Sequence, residues 1–172
     1  MWSGNLAPWV VEESYKYYIS SVKVRDLGYV SDVLAALSIE IIFKSYLCKE
    51  IQVNQGVTYK FDSKLLNKEY KEEGTSSFHD LFLLAKSLPE EVQFLLFKDS
   101  DKGSDKDRFS DFLILKERRN TFSSSRYLYE SKNKTGSSTI LSNLALEYIE
   151  KTISLYKEKE CDDWWIKNYP EV

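Results

Sequence analysis

The chain has 172 residues, of which 42% are hydrophobic and 30% are charged, and its formal net charge is -3. This composition is typical of a soluble globular protein, and we expect residues 1–172 to form a single domain. The net charge excludes a chain-wide basic surface for nucleic acid, so an RNA contact would need a local basic patch. Cys48 and Cys161 lie far apart, and no apolar run is long enough for a membrane span. These features predict a cytoplasmic protein that does not enter a membrane.

The first half of the chain predicts two helices followed by an insertion. A first helix is expected over residues 12–23, with Pro8 as the alternative opening residue. A long second helix is expected over residues 29–50, with Gly28 between the two helices. Apolar residues fill more than one face of the second helix, which predicts that it is the central and most buried one. Residues 51–76 mix weak strand-like alternation with lysines, and we expect an irregular insertion with a helical piece at 65–72.

The second half of the chain predicts further helices. One opens at Ser77, and Pro89 opens the next because proline suits the first helical position. Longer helices are expected over residues 106–131 and 138–159, followed by an aromatic tail at 161–172. The prediction is an all-α fold, with any strand confined to the insertion.

The single histidine, His79, stands beside Asp80 near the start of the third predicted helix. Ser77 and Asp80 have the spacing of a capping box, which puts His79 at the second helical position. There His79 can serve in acid–base chemistry with Asp80 fixing its tautomer, or it can make a purely local hydrogen bond. Phosphate-binding loops and zinc-ligand spacings do not occur in the sequence, so no metal or cofactor is predicted.

The helix predicted over residues 106–131 places arginines on its apolar stripe. Steps of three and four residues bring these side chains to one face: Phe112, Leu115, Arg119, Phe122, Arg126 and Tyr129. A core-facing arginine must be paired, or it must face a cleft or a partner. The alternative is that both arginines flank the stripe and extend to water.

Glu40 is a second anomaly, because it lies on the helix that is expected to be most buried. A lone buried carboxylate is costly, so we expect Glu40 to be paired. Lys44, four residues further on, is one candidate partner. We predict a pair with Arg126, or failing that Arg119, because a guanidinium matches a carboxylate better than an ammonium does.

Three segments together resemble the HEPN domain family, small all-α domains found widely in prokaryotes. Residues 36–47 look like the family's second helix, in which Glu40 and Lys44 stand four apart. Residues 79–89 look like the His-Asp-Leu start of its middle helix, and residues 119–130 look like the late helix with the family motif. The resemblance implies an up-and-down bundle of about five or six helices.

The ribonucleases of this family use an arginine, a following polar residue and, after a short spacer, a histidine. Two domains pair so that their motifs face each other and form an RNA-cleaving site. Carried over to this chain, Arg119 matches the arginine and Asn120 the polar residue, whereas Ser124 and Ser125 stand where the histidine is expected. Serine does not replace imidazole in proton transfer, and His79 is far from Arg119 in sequence, so we expect little RNase activity.

The resemblance implies a homodimer in a prokaryotic antiviral-defence or toxin–antitoxin system. This homodimer would bind RNA, a nucleotide or a cognate protein such as a nucleotidyltransferase antitoxin. The polar residues that the resemblance assigns to binding or structure are Glu40, Lys44, Asp80, Arg126, Tyr127 and Glu130. One alternative is an active, metal-independent endoribonuclease with a rearranged site that uses Arg119, Arg126 and His79. Another is a helical scaffold subunit, which exposed tryptophans near the chain ends would favour.

Overall fold

A computed structural model describes residues 4, 6–54, 56–66, 79–97, 105–122 and 139–170, with side chains of residues 105–109 excepted. The described chain is mostly helical and carries a small antiparallel sheet. In chain order its elements are α1 (Pro8–Lys23), α2 (Tyr29–Tyr46), β1 (Cys48–Val53), β2 (Gly56–Phe61), α3 (Leu81–Ser87), α4 (Glu90–Phe97), α5 (Asp105–Glu117), α6 (Thr139–Glu158) and α7 (Trp164–Asn168).

Helix α2 is the central element, which confirms the prediction made from its apolar faces. It contacts α1, α6 and α3, and its inward side chains are fully buried. The Phe43 ring lies 5.9 Å from Phe97 on α4 and 5.6 Å from Tyr148 on α6, measured between ring centres. Burial of one large apolar side chain contributes about 1.5–3 kcal/mol, so this shared core provides much of the stability of the bundle.

Helix α1 begins at Pro8, the earlier of the two starts considered from the sequence. Proline fits the first turn of a helix because the missing N–H has no intrahelical partner there. The Ala7 N–H that precedes it donates to the Tyr156 hydroxyl at 3.0 Å, which holds the start of α1 against α6. Further along, the Ser14 hydroxyl donates to the Ser38 carbonyl at 2.8 Å. Small serines let α1 approach α2 closely while their polar atoms stay paired.

Helix α2 ends at Tyr46, so the prediction that it continues to residue 50 is wrong. Residues 48–53 form β1, which pairs antiparallel with β2 and places Cys48 opposite Phe61. The Asp62 N–H donates to the Leu47 carbonyl at 2.8 Å and closes this hairpin onto the end of α2. The expected irregular insertion is therefore a hairpin followed by a 3-10 turn at Ser63–Leu65. The rest of the helical piece predicted at 65–72 lies largely outside the described residues, as does Ser77.

The predictions for α4 and α6 are confirmed, each to within one residue at its start. Helix α4 begins directly after Pro89, and α6 covers residues 139–158 of the predicted 138–159. Helix α5 starts near the predicted position but ends at Glu117, so a continuous helix to residue 131 is wrong over residues 118–120. Residues 123–131 lie outside the described part. No helix in the described ranges is long and apolar enough to cross a membrane.

The aromatic tail adds a short helix whose tryptophans differ in exposure. Trp165 is buried, with its ring 5.5 Å from that of Tyr15 on α1. Trp164 and Trp9 are 68% and 45% exposed. Trp2 lies outside the described residues. Trp164 and Trp9 therefore have the exposure that a scaffold subunit would need, whereas Trp165 belongs to the core.

Candidate functional site

Side chains from three separate elements meet where α2, the start of α3 and the end of α5 come together. Glu40 on α2 contacts His79, and Asp80 contacts Arg119, each pair being 39 positions apart in sequence. Lys44 joins the group one turn along α2 from Glu40. We call Glu40, Lys44, His79, Asp80 and Arg119 the polar cluster.

Glu40 is paired, as predicted. One partner is Lys44, a candidate named from the sequence, and the other is His79, which was not predicted. The Lys44 ammonium donates to Oε1 of Glu40 at 2.6 Å, and Nδ1 of His79 lies 2.9 Å and 3.0 Å from the two carboxylate oxygens. The predicted fallback pair with Arg119 is wrong, and Arg126 lies outside the described residues. Lys44 reaches Glu40 readily, because residues four apart lie on the same face of a helix.

Asp80 caps helix α3, and His79 is hydrogen-bonded to Glu40, so the alternative in which Asp80 fixes the tautomer of His79 is wrong. Its Oδ1 accepts the Leu83 N–H at 3.0 Å, which makes Asp80 the N-cap of a helix that begins at Leu81. His79 therefore lies in the turn before the helix and not at its second position. Its ring centre is 4.5 Å from that of Phe122.

Arg119 turns away from the apolar stripe of α5 towards Asp80. Its Nε and Nη2 lie 2.7 Å and 2.6 Å from Oδ2 of Asp80. The Arg118 carbonyl accepts both the N–H of Thr121 at 3.0 Å and its hydroxyl at 2.8 Å. This local turn replaces the helical ladder and explains why α5 ends at Glu117. The Arg119 carbonyl in turn accepts the Leu81 N–H at 3.2 Å.

Carboxylates form the inside of the polar cluster and basic groups form its outside. The side chains of Glu40 and Asp80 are each only 5% exposed, whereas those of Lys44, Arg119 and His79 are 21%, 27% and 33% exposed. Each carboxylate is neutralised by the basic groups around it, and hydrogen-bonded pairing of this kind is what a buried charge requires. Solvent therefore meets an edge of basic side chains.

The other predicted site residues divide into one that is described and three that are not. Asn120 lies in the turn beside Arg119 and is exposed. The Tyr29 hydroxyl donates to the Thr121 carbonyl at 2.8 Å and holds this turn against α2. Arg126, Tyr127 and Glu130 lie outside the described residues. Within the described ranges, no three His, Cys, Asp or Glu side chains gather as a set of metal ligands.

Comparisons with protein-family models, with curated proteins and with solved structures find no match to this chain.

Proposed function

We propose that this chain is a HEPN-like module, a homodimeric helical bundle that binds RNA in a prokaryotic defence or toxin–antitoxin-type system. One observation carries the proposal: the three segments on which the resemblance rests meet in space. Glu40 of the first segment contacts His79 of the second, and Asp80 of the second contacts Arg119 of the third. Three unrelated short likenesses would have no reason to share one cluster.

The basic edge of the polar cluster supports RNA as the ligand. The cationic side chains of Lys44 and Arg119 are 21% and 27% exposed, although the whole chain is acidic. Phosphate contacts from a local basic patch provide sequence-independent affinity for nucleic acid. A nucleotide or a cognate protein such as a nucleotidyltransferase antitoxin is the other kind of partner that the resemblance implies.

Arg119→Ala is expected to weaken binding of a fluorescently labelled single-stranded RNA about tenfold, because a phosphate contact is lost. Fluorescence polarisation at low salt measures this affinity. The matched control is Lys23→Ala, which removes an exposed basic residue at the last turn of α1, next to the opposite end of α2. Circular dichroism melts verify that both variants remain folded. Failure of the unmodified protein to bind RNA, or equal loss in the two variants, would contradict the proposal.

The homodimer is expected to use helix α5. Leu113 on this helix is 47% exposed although it is apolar. Light scattering should give twice the chain mass of 20.1 kDa at micromolar concentration. Leu113→Glu should shift the protein to a monomer with an unchanged melting temperature. Leu65→Glu is the control, because Leu65 is 50% exposed on the 3-10 turn after the hairpin. A monomer mass for the unmodified protein argues against this dimer.

An active endoribonuclease with a rearranged site is the second candidate. The expectation of little cleavage relied partly on the sequence distance between His79 and Arg119, yet Asp80 and Phe122 bring these two residues together in space. Incubation of the labelled RNA with protein and EDTA, followed by gel analysis, separates the candidates. Cleavage that His79→Gln abolishes supports the enzyme, and intact RNA supports binding alone.

A further inference from the structure

The hydrogen bond between Glu40 and His79 determines which imidazole nitrogen carries the proton. Nδ1 of His79 lies 2.9 Å and 3.0 Å from the two oxygens of Glu40. The same carboxylate forms an ion pair with Lys44 at 2.6 Å, and an ionised carboxylate can only accept hydrogen bonds. Nδ1 must therefore be the donor. In the neutral ring, Nε2 then carries a lone pair and acts as an acceptor.

Nε2 of His79 is available to a ligand. The side chain is 33% exposed, and in the part of the chain that the structure describes Nε2 has no hydrogen-bond partner. Contact with the Phe122 ring limits rotation of the imidazole, as does the double approach of Nδ1 to Glu40. A fixed acceptor thus lies on the basic edge of the polar cluster, next to the pairs Glu40–Lys44 and Asp80–Arg119.

We infer that Nε2 of His79 accepts a hydrogen bond from a ribose 2′-hydroxyl, and that His79 thereby makes the site prefer RNA over DNA. This inference rests on the proposed function, RNA binding at the polar cluster. Glu40 is the positioning residue, because it acts only through the imidazole.

A lone pair at Nε2 points to a hydroxyl and not to a phosphate. Phosphate oxygens carry no proton to donate, whereas Lys44 and Arg119 have donors that suit them. The 2′-hydroxyl donates, and it is the group that RNA has and DNA lacks. The site thus combines sequence-independent contacts to the backbone with one contact that identifies the sugar.

The test compares three single strands of one sequence: RNA, DNA with uracil in place of thymine, and 2′-O-methyl RNA. The unmodified protein should bind RNA about three- to tenfold more tightly than the other two, the worth of one hydrogen bond. His79→Phe keeps a ring against Phe122 but removes the acceptor. Its preference for RNA over DNA should vanish, and a circular dichroism melt verifies that the variant remains folded.

The tautomer supplies a second measurement that does not depend on nucleic acid. Because the chain has one histidine, its imidazole nitrogen resonances belong to His79 without assignment. At about pH 8, where an ordinary imidazole is neutral, they should report the Nδ1–H form. In Glu40→Gln this form should lose its dominance, since an amide can donate as well as accept.

The outcomes distinguish the role of His79 from the proposed binding of RNA. An unchanged preference for RNA in His79→Phe, or an Nε2–H tautomer in the unmodified protein, overturns the inference and leaves RNA binding standing. Absence of RNA binding by the unmodified protein overturns both. Equal affinity of the unmodified protein for RNA and DNA overturns the inference alone.

Discussion

Replacement of Glu40 by alanine is expected to lower the free energy of unfolding by about 3–5 kcal/mol, because it breaks a largely buried ion pair from one side. The carboxylate is 5% exposed and accepts from Lys44 at 2.6 Å and from His79 at 2.9 Å. Its removal leaves the Lys44 ammonium and the His79 imidazole without the acceptor that they share. Denaturant unfolding, followed by circular dichroism, measures the loss.

Glu12→Ala is the matched control for this change. Glu12 also pairs with a lysine four residues away, Lys16 at 3.0 Å, but both side chains are well exposed. Loss of such a surface pair changes the free energy of unfolding by no more than about 0.5 kcal/mol. The double variant Glu40→Ala with Lys44→Met should be less destabilised than the sum of the two single variants. Strictly additive effects, or a loss for Glu40→Ala as small as that for Glu12→Ala, would mean that this pair does not stabilise the fold.

The protein is expected to lose stability steeply above about pH 10, the usual pKa of tyrosine. Burial raises the pKa of Tyr46, Tyr148 and Tyr156, whose phenols lie in the core. Above that pH the unfolded chain releases these protons while the folded chain retains them, so the unfolded state binds fewer protons and stability falls. Below that pH the contribution is fully present. Each buried tyrosine lowers the free energy of unfolding by about 1.4 kcal/mol per pH unit above that value. The three together lower it by about 4 kcal/mol at about pH 11.

Denaturant unfolding at a series of alkaline pH values measures this slope. Tyr46→Phe removes one titrating group and should reduce the slope by about a third. It also removes the hydrogen bond to Thr152 at 2.9 Å, but that loss lowers stability equally at every pH below the transition. Tyr17→Phe, at an exposed position of α1, should leave the slope unchanged. Identical slopes for the two variants would refute the assignment to buried phenols.

The helices that could be predicted from the sequence are those whose pattern is decided locally. The apolar faces of α2, the Pro89 start of α4 and the amphipathic period of α6 each lie within one segment. The end of α2 could not be predicted in this way. Residues 48–50 continue a helical pattern, and only their pairing with residues 59–61 turns them into a strand.

For the site, the pairing of Glu40 with Lys44 could be predicted from the sequence, but the contact of Glu40 with His79 could not. That Glu40 must be paired follows from its place on a buried helix, and this is confirmed. Which group pairs with it depends on where α3 begins and where α5 ends. Asp80 as the N-cap moves His79 into the preceding turn, and Thr121 ends the ladder that would have kept Arg119 on the stripe. In both cases a side-chain hydrogen bond competes with the hydrogen bonds of the helix. The spacing of apolar residues does not show which of them forms.

The Asp80 carboxylate accepts hydrogen bonds on both oxygens, and it thereby joins the start of α3 to Arg119. One oxygen caps α3 through Leu83, the other holds Arg119, and the Arg119 carbonyl accepts the Leu81 amide. The first turn of α3 and the end of α5 therefore open as one cooperative unit in local unfolding. In the proposed RNA complex, a phosphate that drew the guanidinium of Arg119 from Asp80 would loosen this unit. The amides of Leu81 and Leu83 would then exchange with solvent faster.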